Sequence, residues 1–260
     1  MVRPLAPPVR PLNSGGKSYF WARGGRRWRW CRVYHRDTRT PRGDTARTFG
    51  PLARFDPHTP DPARPAVDPT GRSVLYVGDS MATSACEVFG EAGEALICPS
   101  WRIALLEPVT RLRLLDLARP GSAMAIGALP TLSDGALPRS LTQQWARAIY
   151  EDHPLGVPAA GIRYRSAYNA GIALALWDTT GKILVLVDDN GTDADVLLNP
   201  PRHADQAQNR SAGTASRGPD HSPRGLPTVH AVGNTNRHPT PDYPARRPGF
   251  LGPIGFTIHD

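Results

Sequence analysis

Ser73-Val74-Leu75-Tyr76-Val77-Gly78-Asp79-Ser80-Met81-Ala82-Thr83-Ser84-Ala85-Cys86-Glu87-Val88-Phe89-Gly90 decides how this chain folds. Ser73 to Val77 is β-branched, aromatic and apolar, and reads as a strand. Asp79 or Ser80 follows, and a short side-chain oxygen at either position can satisfy an exposed N–H in the first turn of a helix running to about Gly90. Tyr76 precedes Glu87 by eleven residues, so the tyrosine lies on the strand that leads into the helix carrying the acid. A strand feeding a short helix with one carboxylate on it is the seed of an α+β domain.

Working outward, Cys31 to Arg36 is a short β-prone segment. The stretch from Asp37 to Gly71 is rich in Pro, Asp, Thr and Arg and reads as a long ordered or semi-ordered loop, of a length usually either functional or disordered. Trp101 to Leu106 and Leu112 to Leu117 read as strands, with Glu107-Pro108 marking the break between them. Ser140 is expected to cap a helix whose apolar residues Leu141, Trp145, Ala148 and Ile149 fall on one face, ended by His153-Pro154. Gly161 to Tyr164, Ile172 to Trp177 and Ile183 to Val187 are nearly continuous apolar runs, as in strands buried on both faces.

The ends read differently. Residues 1–29 form a Pro-rich, then Arg/Trp/Gly-rich leader that is expected to be disordered. At its end, running into the domain, Trp21-Ala22-Arg23-Gly24-Gly25-Arg26-Arg27-Trp28-Arg29-Trp30 interleaves cations with aromatics. Residues 200–260 are dominated by Pro, His, Asn, Arg and Gly, a composition that cannot bury enough apolar surface to offset chain entropy, and are also expected to be disordered. The folded domain is therefore expected over residues 30–199.

Composition narrows the chemistry. A formal net charge of +8 fits an anionic partner, either nucleic acid or a phosphorylated small molecule, and equally fits an Arg-rich coding bias. Cys31, Cys86 and Cys98 are too few and too scattered for a disulfide framework or a zinc site, and point to a reducing compartment. No apolar run is long enough to span a bilayer, and Pro4, Pro7, Pro8 and Pro11 interrupt the only basic N-terminal stretch; the expectation is a cytoplasmic protein without membrane contact. Phosphate-loop, dinucleotide-binding, zinc-protease and nucleophile-elbow signatures are all missing. An enzyme of this sequence would have to work with Arg, Glu, Tyr, Ser or His, with no metal.

Four segments stand in order: Arg32-Val33-Tyr34-His35-Arg36; Ala53-Arg54-Phe55-Asp56-Pro57; Leu75-Tyr76-Val77-Gly78 through Ala85-Cys86-Glu87; and Gly161-Ile162-Arg163-Tyr164-Arg165-Ser166. Together they resemble the RES family, named for Arg, Glu and Ser, the toxins of bacterial toxin–antitoxin pairs. The resemblance covers about residues 30–190, with Ala53 in place of the family's usual Gly and a lengthened loop after Pro57.

The resemblance implies an ADP-ribosyltransferase-like fold, a mixed or antiparallel sheet with a few flanking helices. It implies an enzyme that cleaves NAD, as substrate and without a further cofactor, at the nicotinamide–ribose bond, with water or phosphate as acceptor. A small helical antitoxin of the Xre kind would be the partner, and self-association is left open. The implied catalytic residues are Glu87, Arg32 and Ser166, with Arg54, Tyr76, Arg36 and Tyr164 binding substrate. Either Arg32 or Arg36 can be the family arginine; Arg32 is preferred because it opens its strand.

The chemistry of those residue types agrees. Breaking an N-glycosidic bond builds positive charge on the ribose, which a nearby carboxylate such as Glu87 stabilises. Without a Gly-rich loop, the pyrophosphate must be met by planar guanidinium forks, here Arg32 and Arg54. Tyr76 could stack on nicotinamide or bond the ribose, and Ser166 could orient the sugar. Outside this pattern, Glu87 would read as a solvated helix residue, Tyr76 as a core aromatic, and Ser166 as a turn residue; His35 and Cys86 read as structural in either case. Two competing functions use the same text: an ADP-ribosyltransferase acting on a macromolecule, and a basic nucleic-acid binder working through the leader, the latter disfavoured.

Overall fold

The computed structural model describes residues 4–23, 30–95, 97–134, 137–186 and 194–198. Its elements are β1 (Tyr19–Ala22), β2 (Trp30–His35), β3 (Phe49–Gly50), β4 (Ala66–Val67), β5 (Val74–Gly78), α1 (Met81–Phe89), β6 (Trp101–Pro108), β7 (Leu112–Asp116), α2 (Ser122–Ala125), α3 (Thr131–Asp134), α4 (Arg139–Asp152), β8 (Gly161–Arg165), β9 (Ile172–Trp177), β10 (Ile183–Val185) and β11 (Asp195–Leu197). Nine strands form one sheet in the order β1-β7-β8-β9-β5-β2-β6-β10, with β11 also on β6. Its pairings are antiparallel except the parallel β7–β8 pair. This is the α+β, mixed-sheet architecture expected.

The sheet is buried on both faces at its centre because the apolar runs alternate between two cores. Ala173, Ala175 and Trp177 of β9 join Val74, Ile162 and the α4 residues Trp145, Ala146 and Ile149 on one face. Leu174 and Leu176 join Leu75, Val77, Ala104 and Leu106 on the other. A period of two thus places successive apolar side chains in different layers.

The leader does not behave as the disordered segment expected of residues 1–29, at least where it is described. Tyr19–Ala22 pairs antiparallel with β7, from Tyr19 opposite Leu115 to Ala22 opposite Leu112. Upstream, Leu5 enters the core, the Trp145 indole donates to the Ala6 carbonyl at 3.0 Å, and Arg10 is bound by Asp152 and Glu151. Proline content hides these contacts, since Pro7 and Pro8 exclude helix but leave the neighbouring side chains free to pack. The expectation for residues 200–260 lies outside the described residues.

Two other expectations are corrected. β6 runs through Glu107 and Pro108, which pair with Leu184 and Ile183; proline is tolerated at the strand end. Ser140 lies inside α4, whose N-cap is Pro138: the Pro138 carbonyl accepts from Leu141 and Thr142, and no side chain caps the helix. The Asp37–Gly71 stretch is ordered, holding the β3–β4 pair and a backbone bridge between Arg47 and Val74.

At the strand-to-helix turn that opened the sequence reading, Ser80 is the N-cap. Its backbone is extended and its Oγ accepts from the Thr83 N–H at 3.1 Å. Asp79 instead accepts from the Thr83 hydroxyl at 3.1 Å. Gly78 is required just before it, since a Cβ there would lie 2.8 Å from the Ser84 nitrogen.

Candidate functional site

One buried serine stitches the two halves of the site together. Ser84 Oγ donates to the Cys31 carbonyl at 2.7 Å and accepts from the Val33 N–H at 3.3 Å, clasping β2 on either side of Arg32. Ser84 lies one turn before Glu87, so the same clasp that fixes α1 on β2 sets the acid beside the arginine's strand. Arg32, Arg47, Tyr76, Glu87 and Tyr164 line a common cleft of about 150 Å³.

The two oxygens of Glu87 are used unequally. Oε2 accepts a 2.8 Å hydrogen bond from the Tyr164 hydroxyl, while Oε1 is buried and has no partner among the described residues. Burial, reinforced by the Glu87 charge, holds the Tyr164 phenol well above its ordinary pKa, so it stays protonated and keeps donating. A buried carboxylate oxygen without a partner suits a cationic or hydrogen-bond-donating ligand.

Two arginines share the cleft lining with the acid. Arg32 Nη1 donates to the carbonyls of Gly43 and Thr45, each at 2.7 Å, and its Cζ lies 5.2 Å from the Tyr34 ring centroid. Burial lowers its pKa to about 10, the like charge of Arg47 adds to the effect, and Tyr34, Asp44 and Asp195 oppose it; the group remains cationic at neutral pH. Arg47 is gripped by Asp56, with Nη2 2.9 and 2.7 Å from the two carboxylate oxygens, and also donates to the Phe49 carbonyl. Two cations on one cleft wall repel each other, and an anion between them relieves that repulsion.

Asp56 is the hidden organiser. Fully buried, it also accepts from the Tyr76 hydroxyl at 2.8 Å and from the Leu52 and Ala53 amides at 2.5 and 3.1 Å. Tyr76 therefore presents its ring to the cleft while its hydroxyl is committed beneath it, where burial and the Asp56 charge keep the phenol protonated.

Of the residues singled out in the sequence, Arg32, Glu87, Tyr76 and Tyr164 are brought together here. Arg54 is not on the cleft lining but touches one residue of it: its guanidinium lies 5.5 Å from the Tyr164 ring centroid, and Nη2 donates to the Ser133 carbonyl at 3.1 Å. Its Nε and Nη1 are buried without a partner among the described residues.

Arg36 does not join the cleft. It is spent on Asp195 at 3.1 Å and the Tyr34 hydroxyl at 3.3 Å, which favours Arg32 over Arg36 as the arginine of the pair. Ser166 is buried outside the cleft lining. Its Oγ accepts from the Tyr168 N–H at 3.2 Å and its N–H donates to Gly171, so it shapes the β8–β9 turn. His35, exposed and 3.5 Å from the Cys98 sulfur, also lies away from the cleft.

Sequence reasoning missed Arg47 and the role of Asp56. The sole signal for Asp56 was its place in the Arg54-Phe55-Asp56-Pro57 turn; Arg47 sits in a segment with no periodicity to single it out. Among the described residues no group of three or more His, Cys, Asp or Glu side chains is gathered for a metal, and no helix is long and apolar enough to cross a membrane.

A mixed sheet with a strand arginine and a helix-borne glutamate lining one small cleft defines an α+β domain. This chain belongs to the RES-domain family, whose model matches residues 26–212 and so spans every site residue named above. No protein of curated function matches it. Among solved structures, the MbcT–MbcA toxin–antitoxin complex of M. tuberculosis is similar, with 19% identity, a TM-score of 0.39, and coverage of 61% of this chain and 83% of that one.

Proposed function

We propose that this protein is the toxin of a toxin–antitoxin pair, acts in the cytoplasm, and destroys NAD by cleaving its nicotinamide–ribose bond. Membership of the RES family supports the toxin role. The observation that carries the chemistry is the cleft that Glu87, with one oxygen unpartnered among the described residues, lines together with Arg32 and Arg47.

In this reading the guanidinium wall receives the pyrophosphate, whose charge relieves the repulsion between the two arginines. The ring of Tyr76 provides an apolar surface for nicotinamide or ribose. The bond between ribose and the pyridinium nitrogen breaks with its electron pair going to nicotinamide, and the ribose becomes cationic. Glu87 stabilises that charge, and the Tyr164 hydroxyl, bound to Oε2, holds the carboxylate in place. Water or phosphate then adds to the sugar and releases a proton, giving ADP-ribose or its phosphorylated form. Ser166 acts at a distance, by shaping the turn that follows Tyr164. A small helical antitoxin of the Xre kind is the proposed partner.

The test is nicotinamide release from NAD by the purified chain, with and without phosphate, beside a Glu87→Ala variant that stays folded. Release by the native chain and none by the variant supports the reading. Release that survives Glu87→Ala removes the acid from the mechanism, and labelled NAD ending on protein or nucleic acid points to a transferase instead.

A further inference from the structure

Ala104 of β6 has Arg32 of β2 as its register partner on one side and Asp195 of β11 on the other. Directly opposed residues in antiparallel pairs share a face, so Arg32 and Asp195 flank a gap over the small Ala104 side chain. Gly43 fills that gap. It is buried, and a Cβ on it would come within 2.3 Å of the Ala104 Cβ, so only glycine fits without displacing the strand. From this seat the Gly43 N–H donates to Asp195 Oδ2 at 3.2 Å, and the Gly43 carbonyl accepts from Arg32 Nη1 at 2.7 Å.

The same carboxylate oxygen reaches Arg32 by a second route. Asp195 Oδ2 accepts from the Tyr34 hydroxyl at 2.7 Å, and the Tyr34 ring is the one on which the Arg32 guanidinium rests. Arg36 pairs with the same oxygen at 3.1 Å, and the Asp195 side chain is 4% exposed. A buried carboxylate gathering three donors holds them in fixed geometry, since moving any one leaves a charge unpaired.

We infer that Asp195 is a positioning residue for the cleft: by fixing Gly43 and Tyr34 it sets the guanidinium of Arg32, so the cleft's readiness for an anionic substrate depends on the docking of β11. This rests on the reading of Arg32 as part of the phosphate-binding wall. Because the coupling runs to Arg32 and not to Glu87, loss of Asp195 weakens substrate capture and spares the bond-breaking step. Anything that lifts β11 from β6 therefore acts as a brake on substrate binding.

The experiment compares the full chain with Asp195→Ala and Asp195→Asn, the latter keeping an acceptor for Gly43 and Tyr34 while losing the charge. Steady-state NAD cleavage is expected to show KM raised by about ten-fold or more in Asp195→Ala with kcat within about three-fold, and most of the KM recovered in Asp195→Asn. Hydrogen exchange is expected to show faster exchange over residues 40–47 in Asp195→Ala with α1 and β8 unchanged. A folded Asp195→Ala chain with native KM overturns the inference, as does unchanged protection of residues 40–47. Should Asp195→Ala fail to fold, Asp195→Ser decides: its side chain is too short to reach the Gly43 N–H and the Tyr34 hydroxyl, so a native KM or native protection of residues 40–47 counts against the inference. Absence of nicotinamide release from the native chain would instead sink the proposed function, and the exchange measurement would still decide whether Asp195 fixes the Gly43 segment.

Discussion

Tyr164 and Glu87 meet through a 2.8 Å hydrogen bond across 77 residues of sequence, the phenol on β8 donating to the acid on α1. The bond occupies one carboxylate oxygen and leaves the other without a partner among the described residues. Tyr164→Phe removes the donor and keeps the ring, so Oε2 loses its anchor and the carboxylate gains freedom to turn. The expected result is a fall in kcat for nicotinamide release of about ten-fold with KM little changed, and a stability loss of about 1 kcal/mol in denaturant titration. An unchanged kcat would mean that the phenol serves packing alone.

Glu87→Gln keeps the size of the side chain and an acceptor for Tyr164 but removes the charge that offsets a cationic ribose. Nicotinamide release is expected to fall by about 10²–10³-fold, the range seen when an electrostatic stabiliser is lost. Thermal unfolding should move by no more than about 2 °C, because no buried hydrogen bond is lost.

Asp56→Ala should be far more damaging to the fold. It leaves the Arg47 charge, the Tyr76 hydroxyl and the Leu52 and Ala53 amides without their common acceptor. Breaking a buried pair from one side costs about 3–5 kcal/mol, readable as a lowered denaturation midpoint. Asp56→Asn, which retains an acceptor, should recover part of that loss.

Asp68 makes a prediction about acid stability. Burial pushes its carboxyl up, but hydrogen bonds from the Thr70 and Thr59 side chains and amides outweigh it and hold the pKa at about 2, below the usual 3.8. A depressed folded-state pKa contributes stability that is fully present above about pH 4 and is lost as pH falls through 2. Asp68→Ala is therefore expected to cost about 2 kcal/mol at pH 6. The gap from the native chain should narrow progressively between pH 4 and pH 2, and a gap independent of pH would assign the effect to packing.

What the sequence determined by itself was what neighbouring residues decide among themselves. The strand at Val74–Gly78, a cap at Asp79 or Ser80, the helix ending at Gly90 and the apolar runs of β8 and β9 follow from local propensity, capping and the burial period, which act over a few residues. The order of the Arg, Tyr and Glu segments identified the family and four of the five residues named on the cleft wall, because each segment is a short piece of one element. Tertiary structure alone decided the rest. β1 exists because β7, far along the chain, offers it an edge. Arg47 enters the cleft because Asp56 holds it there, Arg36 is taken out of it by Asp195, and Ser166 turns to its own loop. A charged side chain goes where its counter-charge is, and that partner is fixed by the folded chain, not by spacing along it.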